Sequence, residues 1–196
     1  MTILFGQSHD MKCHCRVRHE KKELSLSGLT RQSIYEENKT MDAEVEVDLA
    51  QLIHRGGVFK NVEGNTPQEI YSKVCKMIDL PDGMTSEQVY NALCDREAVL
   101  STAVGNGIAL PHARAPIMRD ASEQRICVVY LKNPIDMKAP DEREVFVMFV
   151  LLAHNSQIHL KVLSSLAALF RDANFKKALE ARADEEALAA IIKELA

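Results

Sequence analysis

Val145-Phe146-Val147-Met148-Phe149-Val150-Leu151-Leu152 is an unbroken apolar run dominated by β-branched and aromatic side chains. With Ala153 it reaches nine residues, half of the roughly 18 that suggest a membrane span, and so it reads as a buried strand. Ile126-Cys127-Val128-Val129-Tyr130-Leu131 has the same character and length class, and predicts a second buried strand. Gly107–Leu110 is a third, shorter apolar segment.

Helical patterns lie on both sides of these strands. Upstream, Thr66-Pro67-Gln68-Glu69 combines a capping threonine, a proline suited to the first helical position and a glutamate placed for a capping box. Ile70, Val74, Met77 and Ile78 follow at helical spacing, and the segment ends near Leu80-Pro81-Asp82-Gly83. Thr85-Ser86-Glu87-Gln88 opens another helix, which Val89 and Leu93 continue toward Arg96. A helical turn over Leu49–His54 stops at Gly56-Gly57, and Glu44–Val47 could be a short strand. Downstream of Ala153 the period changes to 3.6, with Leu160, Leu163, Leu166, Ala167 and Phe170 on one stripe. Phe175–Ala181 and Glu185–Leu195 form two more helices, the second behind Asp184 as a cap. Helices before and after a strand-rich middle predict an α/β sandwich.

The chain has 196 residues, 46% hydrophobic and 27% charged, with a net charge of −4. That excludes full disorder and argues against nonspecific nucleic-acid binding, which needs a strong cationic field. Absence of Trp and 5% aromatics also argue against stacking platforms for single strands. Residues 1–40 carry seven Lys+Arg against five Asp+Glu, have weak hydrophobic periodicity, and read as a loosely ordered leader. The remaining residues hold −6. Met41 begins the patterned part, so a genuine extension and a start-site artefact both fit the leader. The opening Met1–Gly6 lacks a basic n-region and a long apolar core, and the odd, scattered set of five cysteines does not suit a secreted disulfide scaffold. A reducing cytoplasm is the expected location.

Chemistry concentrates in Gly105-Asn106-Gly107-Ile108-Ala109-Leu110-Pro111-His112. The glycines allow close approach of backbone to a neighbour or anion, and Pro111 halts the strand. His112 is thereby placed at a strand end, where an imidazole can serve as nucleophile, base or ligand. From these residues alone a structural reading of His112 stays open as well. The run fails as a dinucleotide fingerprint because Leu110 occupies the third glycine position, and no Walker-type loop is present. Cys13-His14-Cys15 with His19 lacks the usual two-residue gap of a zinc site and a second ligand pair. Cys75, Cys94 and Cys127 sit in apolar patterns and read as core residues. His154 reads as a loop residue, and His54 has no functional role.

Arg96-Glu97, Ser101-Thr102 and Gly105–His112 together resemble the active-site motif of enzyme IIA proteins of the fructose/mannitol class, in the bacterial phosphoenolpyruvate-dependent phosphotransferase system. That group includes the nitrogen-regulatory enzyme IIA. Ile158-His159-Leu160-Lys161-Val162-Leu163-Ser164-Ser165-Leu166-Ala167 resembles its second histidine segment, and the match spans about residues 45–195. The resemblance implies a mixed β-sheet flanked by helices on both faces, and a IIA domain over residues 41–196. It implies that His112 accepts a phosphoryl group from the carrier HPr, with Arg96 assisting transfer and His159 as the second histidine. Backbone amides of Gly105, Asn106 and Gly107 are expected to bind phosphate. The alternatives are a surface ion pair of Arg96 with Asp95 or Glu97, and a solvent-facing His159.

Such transfer depends on positioning and charge stabilisation, and no metal, nucleotide or other cofactor is expected. The acidic balance after residue 40 suits a basic patch on HPr. Without fused transport segments the resemblance points to a free-standing regulatory carrier; the alternative is a sugar-specific component that passes phosphate to a IIB unit. Either is compatible with peripheral association at a membrane transporter. A third reading, a binding module that has lost the chemistry, is disfavoured by the joint presence of His112, Arg96 and His159.

Overall fold

The apolar run that decides the fold becomes β5 (Val145–Leu152), with the bounds expected of it. The structure is a computed structural model and describes residues 47–195. The leader, the Cys13–His19 cluster and most of Glu44–Val47 lie outside the described residues, and Val47 itself is irregular. β5 pairs antiparallel with β4 (Arg125–Ile135), register running from Arg125↔Leu152 to Tyr130↔Val147, with a shift before Ile135. On its other side β5 pairs in parallel with β3 (Ile108–Ala109), which pairs antiparallel with β2 (Ala103–Gly105). β1 (Val58–Val62) completes the sheet in parallel with β4, giving the order β1-β4-β5-β3-β2.

Alternation along the strands separates two cores. Ile126, Val128 and Tyr130 of β4, with Val147, Phe149 and Leu151 of β5, face one side. That side is covered by α1 (Leu49–Gly56), α4 (Ser156–Leu169), α5 (Ala173–Glu180) and α6 (Glu185–Leu195). Phe149, Phe170 and Phe175 form an aromatic cluster there, with ring centroids 5.0–6.3 Å apart. Cys127, Val129 and Leu131, with Met148, Val150 and Leu152, face the other side, under α2 (Pro67–Met77) and α3 (Ser86–Glu97). The sheet is mixed and helices cover both faces, as expected.

Local chemistry explains the helix ends. Thr85 and Gln88 form a reciprocal capping box: the Gln88 amide donates to Thr85 Oγ1 (3.2 Å) and the Thr85 amide to Gln88 Oε1 (2.9 Å). Thr66 accepts from the Glu69 amide, but Glu69 accepts from the Asn65 amide rather than closing on Thr66. Asp184 caps α6 by accepting from Ala187. Helix α1 runs two residues further than its expected turn and stops where Gly57 takes φ +80° and donates to the Ile53 carbonyl, and Gly56 lies against β4. A Cβ there would stand 2.1 Å from the Ile126 carbonyl oxygen, so no larger residue fits.

β1 and β2 are strands that the sequence pattern does not announce. β1 is an edge strand whose Lys60 and Asn61 are exposed, which breaks the apolar run, and β2 is three residues long. β4 extends past Leu131 through exposed Lys132, Asn133 and Pro134 for the same reason. Cys75 and Cys127 are buried in the α2/α3 core, and Cys94 is half-buried.

Candidate functional site

His112 lies beyond β3 on extended chain that still follows β5: the Leu151 amide donates to the Pro111 carbonyl (2.8 Å), and His112 bridges Leu151 in parallel. Alternation from Ile108 and Leu110 turns its ring toward the α4 side of the sheet. The ring is half-buried. Its Nδ1 is 2.7 Å from the Leu110 carbonyl oxygen, and Arg96 Nε donates to its Nε2 at 3.2 Å. A carbonyl only accepts and a guanidinium only donates, so these partners assign the ring proton to Nδ1 and the lone pair to Nε2.

Arg96 occupies the last turn of α3, on the opposite face of the sheet from α4, and reaches the site around the strand end. Its Nη1 donates to the Leu100 carbonyl (2.7 Å) in the turn that follows the helix. Among the described residues no ion pair with Asp95 or Glu97 engages it. A cation at a helix C-terminus is also favoured by the backbone dipole.

His159 sits in the first turn of α4, which Asn155 caps by accepting from the Ile158 amide (2.8 Å). The His159 ring meets His112 edge-on, with centroids 5.0 Å apart and planes at 62°. Both histidines titrate below the ordinary value of 6.5. For His112 burial is the largest cause and Arg96 adds to it, opposed by the Leu110 carbonyl and Glu97. For His159 burial again leads, followed by His112 and Arg96. Two neutral imidazoles and one fixed cation therefore meet at this end of the sheet.

The glycine turn requires a correction. The Phe146 amide donates to the Gly107 carbonyl at 2.9 Å, at the start of β5, whereas His112 lies beside Leu151 near its end. Extended chain separates Gly107 from His112 by about 16 Å at 3.3 Å per residue. The Asn106 amide is already engaged by Asp141 Oδ2 (2.7 Å), a carboxylate that would repel phosphate. Gly105, Asn106 and Gly107 thus form the β2–β3 turn and are not at the site. Gly107 (φ +73°) is required because a Cβ would stand 2.5 Å from Phe146 Cδ1.

The sequence motif contains Glu97 and Thr102 without indicating their work. Glu97 Oε2 accepts from Tyr71 Oη (2.9 Å) and from Thr102 Oγ1 (2.6 Å), and its carboxylate also faces the Thr102 amide at 3.2–3.3 Å. Tyr71 belongs to α2, and no spacing rule could have brought it here. His154 bonds to Gln124 (3.4 Å) and Asn155 in the β5–α4 connection, and His54 pairs with Glu185 at the surface. Neither is bonded to His112.

The family model for the phosphoenolpyruvate-dependent sugar phosphotransferase system, EIIA 2, matches residues 51–195. A nitrogen regulatory protein of Pseudomonas aeruginosa is 29% identical over 150 residues, covering 74% of this chain and 95% of that protein. A mannitol-specific phosphotransferase enzyme IIA component of Staphylococcus aureus is 27% identical over 139 residues, covering 70% of this chain and 93% of the relative. The crystal structure of nitrogen regulatory protein IIA-Ntr from Neisseria meningitidis superposes with a TM-score of 0.59 at 25% identity, covering 69% of this chain and 92% of that one.

Proposed function

Because this chain belongs to the EIIA 2 family of the phosphoenolpyruvate-dependent sugar phosphotransferase system, we propose that it is a phosphoryl carrier whose acceptor atom is His112 Nε2. The convergence of Arg96, His112 and His159 at one strand end carries this reading. With Nδ1 protonated against Leu110, the Nε2 lone pair attacks phosphorus in line as the donor–phosphorus bond breaks. The Arg96 guanidinium, which caps Nε2 at rest, exchanges that nitrogen for the oxygens of the incoming group and holds them with a planar fork. His159, neutral and at the positive end of α4, donates one hydrogen bond to the same oxygens.

The donor in this reading is HPr. Docking is supported by exposed apolar side chains beside the site: Val99 (63% exposed) and Leu100 (69%) after α3, and Leu160 (66%) next to His159. They suit the centre of a modest, transient interface. The nitrogen-regulatory relative supports a regulatory carrier, with a binding partner that reads the phosphorylation state. The mannitol-specific relative supports the second reading, a sugar-specific component that hands phosphate to a IIB protein. Among the described residues no helix is long and apolar enough to cross a membrane.

The experiment is incubation with phosphoenolpyruvate, enzyme I and HPr, followed by mass spectrometry. One added phosphoryl group, labile in acid and stable in base, is expected, and none on His112→Ala with unchanged circular dichroism. Persistent labelling of that variant moves the acceptor elsewhere. Adding a IIB protein and sugar separates the two readings, since only the sugar-specific carrier drains label onto sugar.

A further inference from the structure

We propose that Glu97 is a positioning residue for the acceptor imidazole, acting through Thr102 and Leu110 and held in place by Tyr71. This rests on the reading of His112 as the acceptor. Glu97 adjoins Arg96 in sequence and could have paired with a cation at the surface. Instead its carboxylate turns inward to Tyr71 and Thr102, both buried, Thr102 only 4% exposed. Thr102 is the buried polar side chain of the core among the described residues, and both its hydroxyl and its amide are directed at Glu97. Such a group is retained in an apolar core only when its hydrogen bonds are met.

From Thr102 the backbone contacts lead on to the ring. The Leu110 amide donates to the Thr102 carbonyl (2.9 Å), and the Leu110 carbonyl accepts from His112 Nδ1 (2.7 Å). Every hydrogen along this line points toward Glu97: that of the Thr102 amide, that of the Leu110 amide, and that on His112 Nδ1. The three bonds lie on separate peptide groups, and the Leu110–Pro111 amide has no N–H, so the link is positional. Glu97 fixes Thr102, Thr102 fixes Leu110, and the Leu110 carbonyl is held where it receives the Nδ1 hydrogen. A carbonyl held in place keeps the ring proton on Nδ1 and leaves the lone pair on Nε2, the nitrogen that must attack.

The same clasp fixes the arginine. Joining Glu97 to Thr102 closes the turn over residues 98–101, whose Leu100 carbonyl receives Arg96 Nη1. One carboxylate thus sets the direction of the guanidinium and the tautomer of the ring. Burial raises the Tyr71 hydroxyl's affinity for its proton, with Glu97 adding to it, so Tyr71 stays a donor. The charged and titratable groups facing His112 are Arg96 and Glu97 from α3 and His159 from α4. Arg96 opposes protonation of the ring and Glu97 favours it.

The test compares the full chain with Glu97→Gln, which keeps the shape and removes the charge, and with Tyr71→Phe, which removes one donor. Nitrogen-15 NMR of the His112 ring reads tautomer and titration midpoint, and transfer from phosphorylated HPr gives rate and KM. In Glu97→Gln the Nε2–H tautomer should rise, the midpoint should fall, and kcat should drop about 10–100-fold at unchanged KM, the scale of a small misplacement at a reacting centre. Tyr71→Phe should move each readout in the same direction by less. A wild-type tautomer and midpoint in either folded variant overturns the proposal, whatever the rate. Should Glu97→Gln not fold, Tyr71→Phe decides by the same spectra. If the unaltered chain never takes label at His112, the carrier reading fails, and the ring spectra still decide the role of Glu97.

Discussion

Two helices from opposite faces of the sheet reach His112, and they are held there by different means. α3 arrives with its C-terminus, and its last turn is tied down by side-chain hydrogen bonds: Arg96 to His112 and Leu100, Glu97 to Tyr71 and Thr102. α4 arrives with its N-terminus, held by the Asn155 cap and by burial of Ile158 and Val162, while His159 meets His112 only ring to ring. The dipoles are opposed as well. The negative end of α3 is offset by Arg96, and the positive end of α4 is left facing the place where phosphate charge would gather. Under the proposed carrier function the contrast is a division of labour: the α3 side would supply a fixed cation and a fixed ring geometry, and the α4 side a field and a neutral donor.

The largest effect that could break this contrast is on the α3 side. Arg96→Ala should lower the rate of phosphoryl acceptance roughly 10²–10³-fold, as removal of one charge-stabilising donor does elsewhere. A rate within a few-fold of the unaltered chain, measured by rapid quench, would show that α3 is scaffold only. His159→Ala should cost about tenfold, the worth of one neutral hydrogen bond, with the label still on His112. An equal loss for the two variants would erase the distinction between cation and neutral donor.

Smaller effects sharpen the account of support. Asn155→Ala removes the α4 cap and should destabilise the protein by about 1 kcal/mol in urea unfolding, with a lesser effect on transfer than Arg96→Ala. An unchanged midpoint would mean that packing alone holds α4. The smallest expected signal is in pH. The folded protein holds both site histidines below 6.5, so on acidification the unfolded chain takes up protons first. Stability from this source is present above about 6.5 and is lost as pH falls through the lowered values. The acid slope of the urea midpoint should therefore flatten in His159→Ala; an unaltered slope would assign the loss to other groups.

Much of the architecture was legible in the order of residues. Val145–Leu152 and Glu185–Leu195 appear with the expected bounds, because a fully apolar run and a capped 3.6 period are each sufficient locally. β1 was not legible, because Lys60 and Asn61 of an edge strand face solvent and leave no alternation to read. The place of the glycine turn is not legible for a related reason: it is close to His112 in sequence, but the extended chain of β3 puts it at the far end of that strand.

The residues alone set His112 at a strand end and predicted an α/β sandwich, because residue type and local period act over a few positions of chain; Arg96, His159 and the mixed sheet were implied by the family resemblance of the motifs. That Arg96 caps Nε2, that Leu110 sets the tautomer, and that Tyr71 anchors Glu97 were decided only when α2, α3 and the strand end were packed together. Hydrogen-bond direction and burial are properties of neighbours in space, and residues 26 positions apart become neighbours only through the tertiary fold.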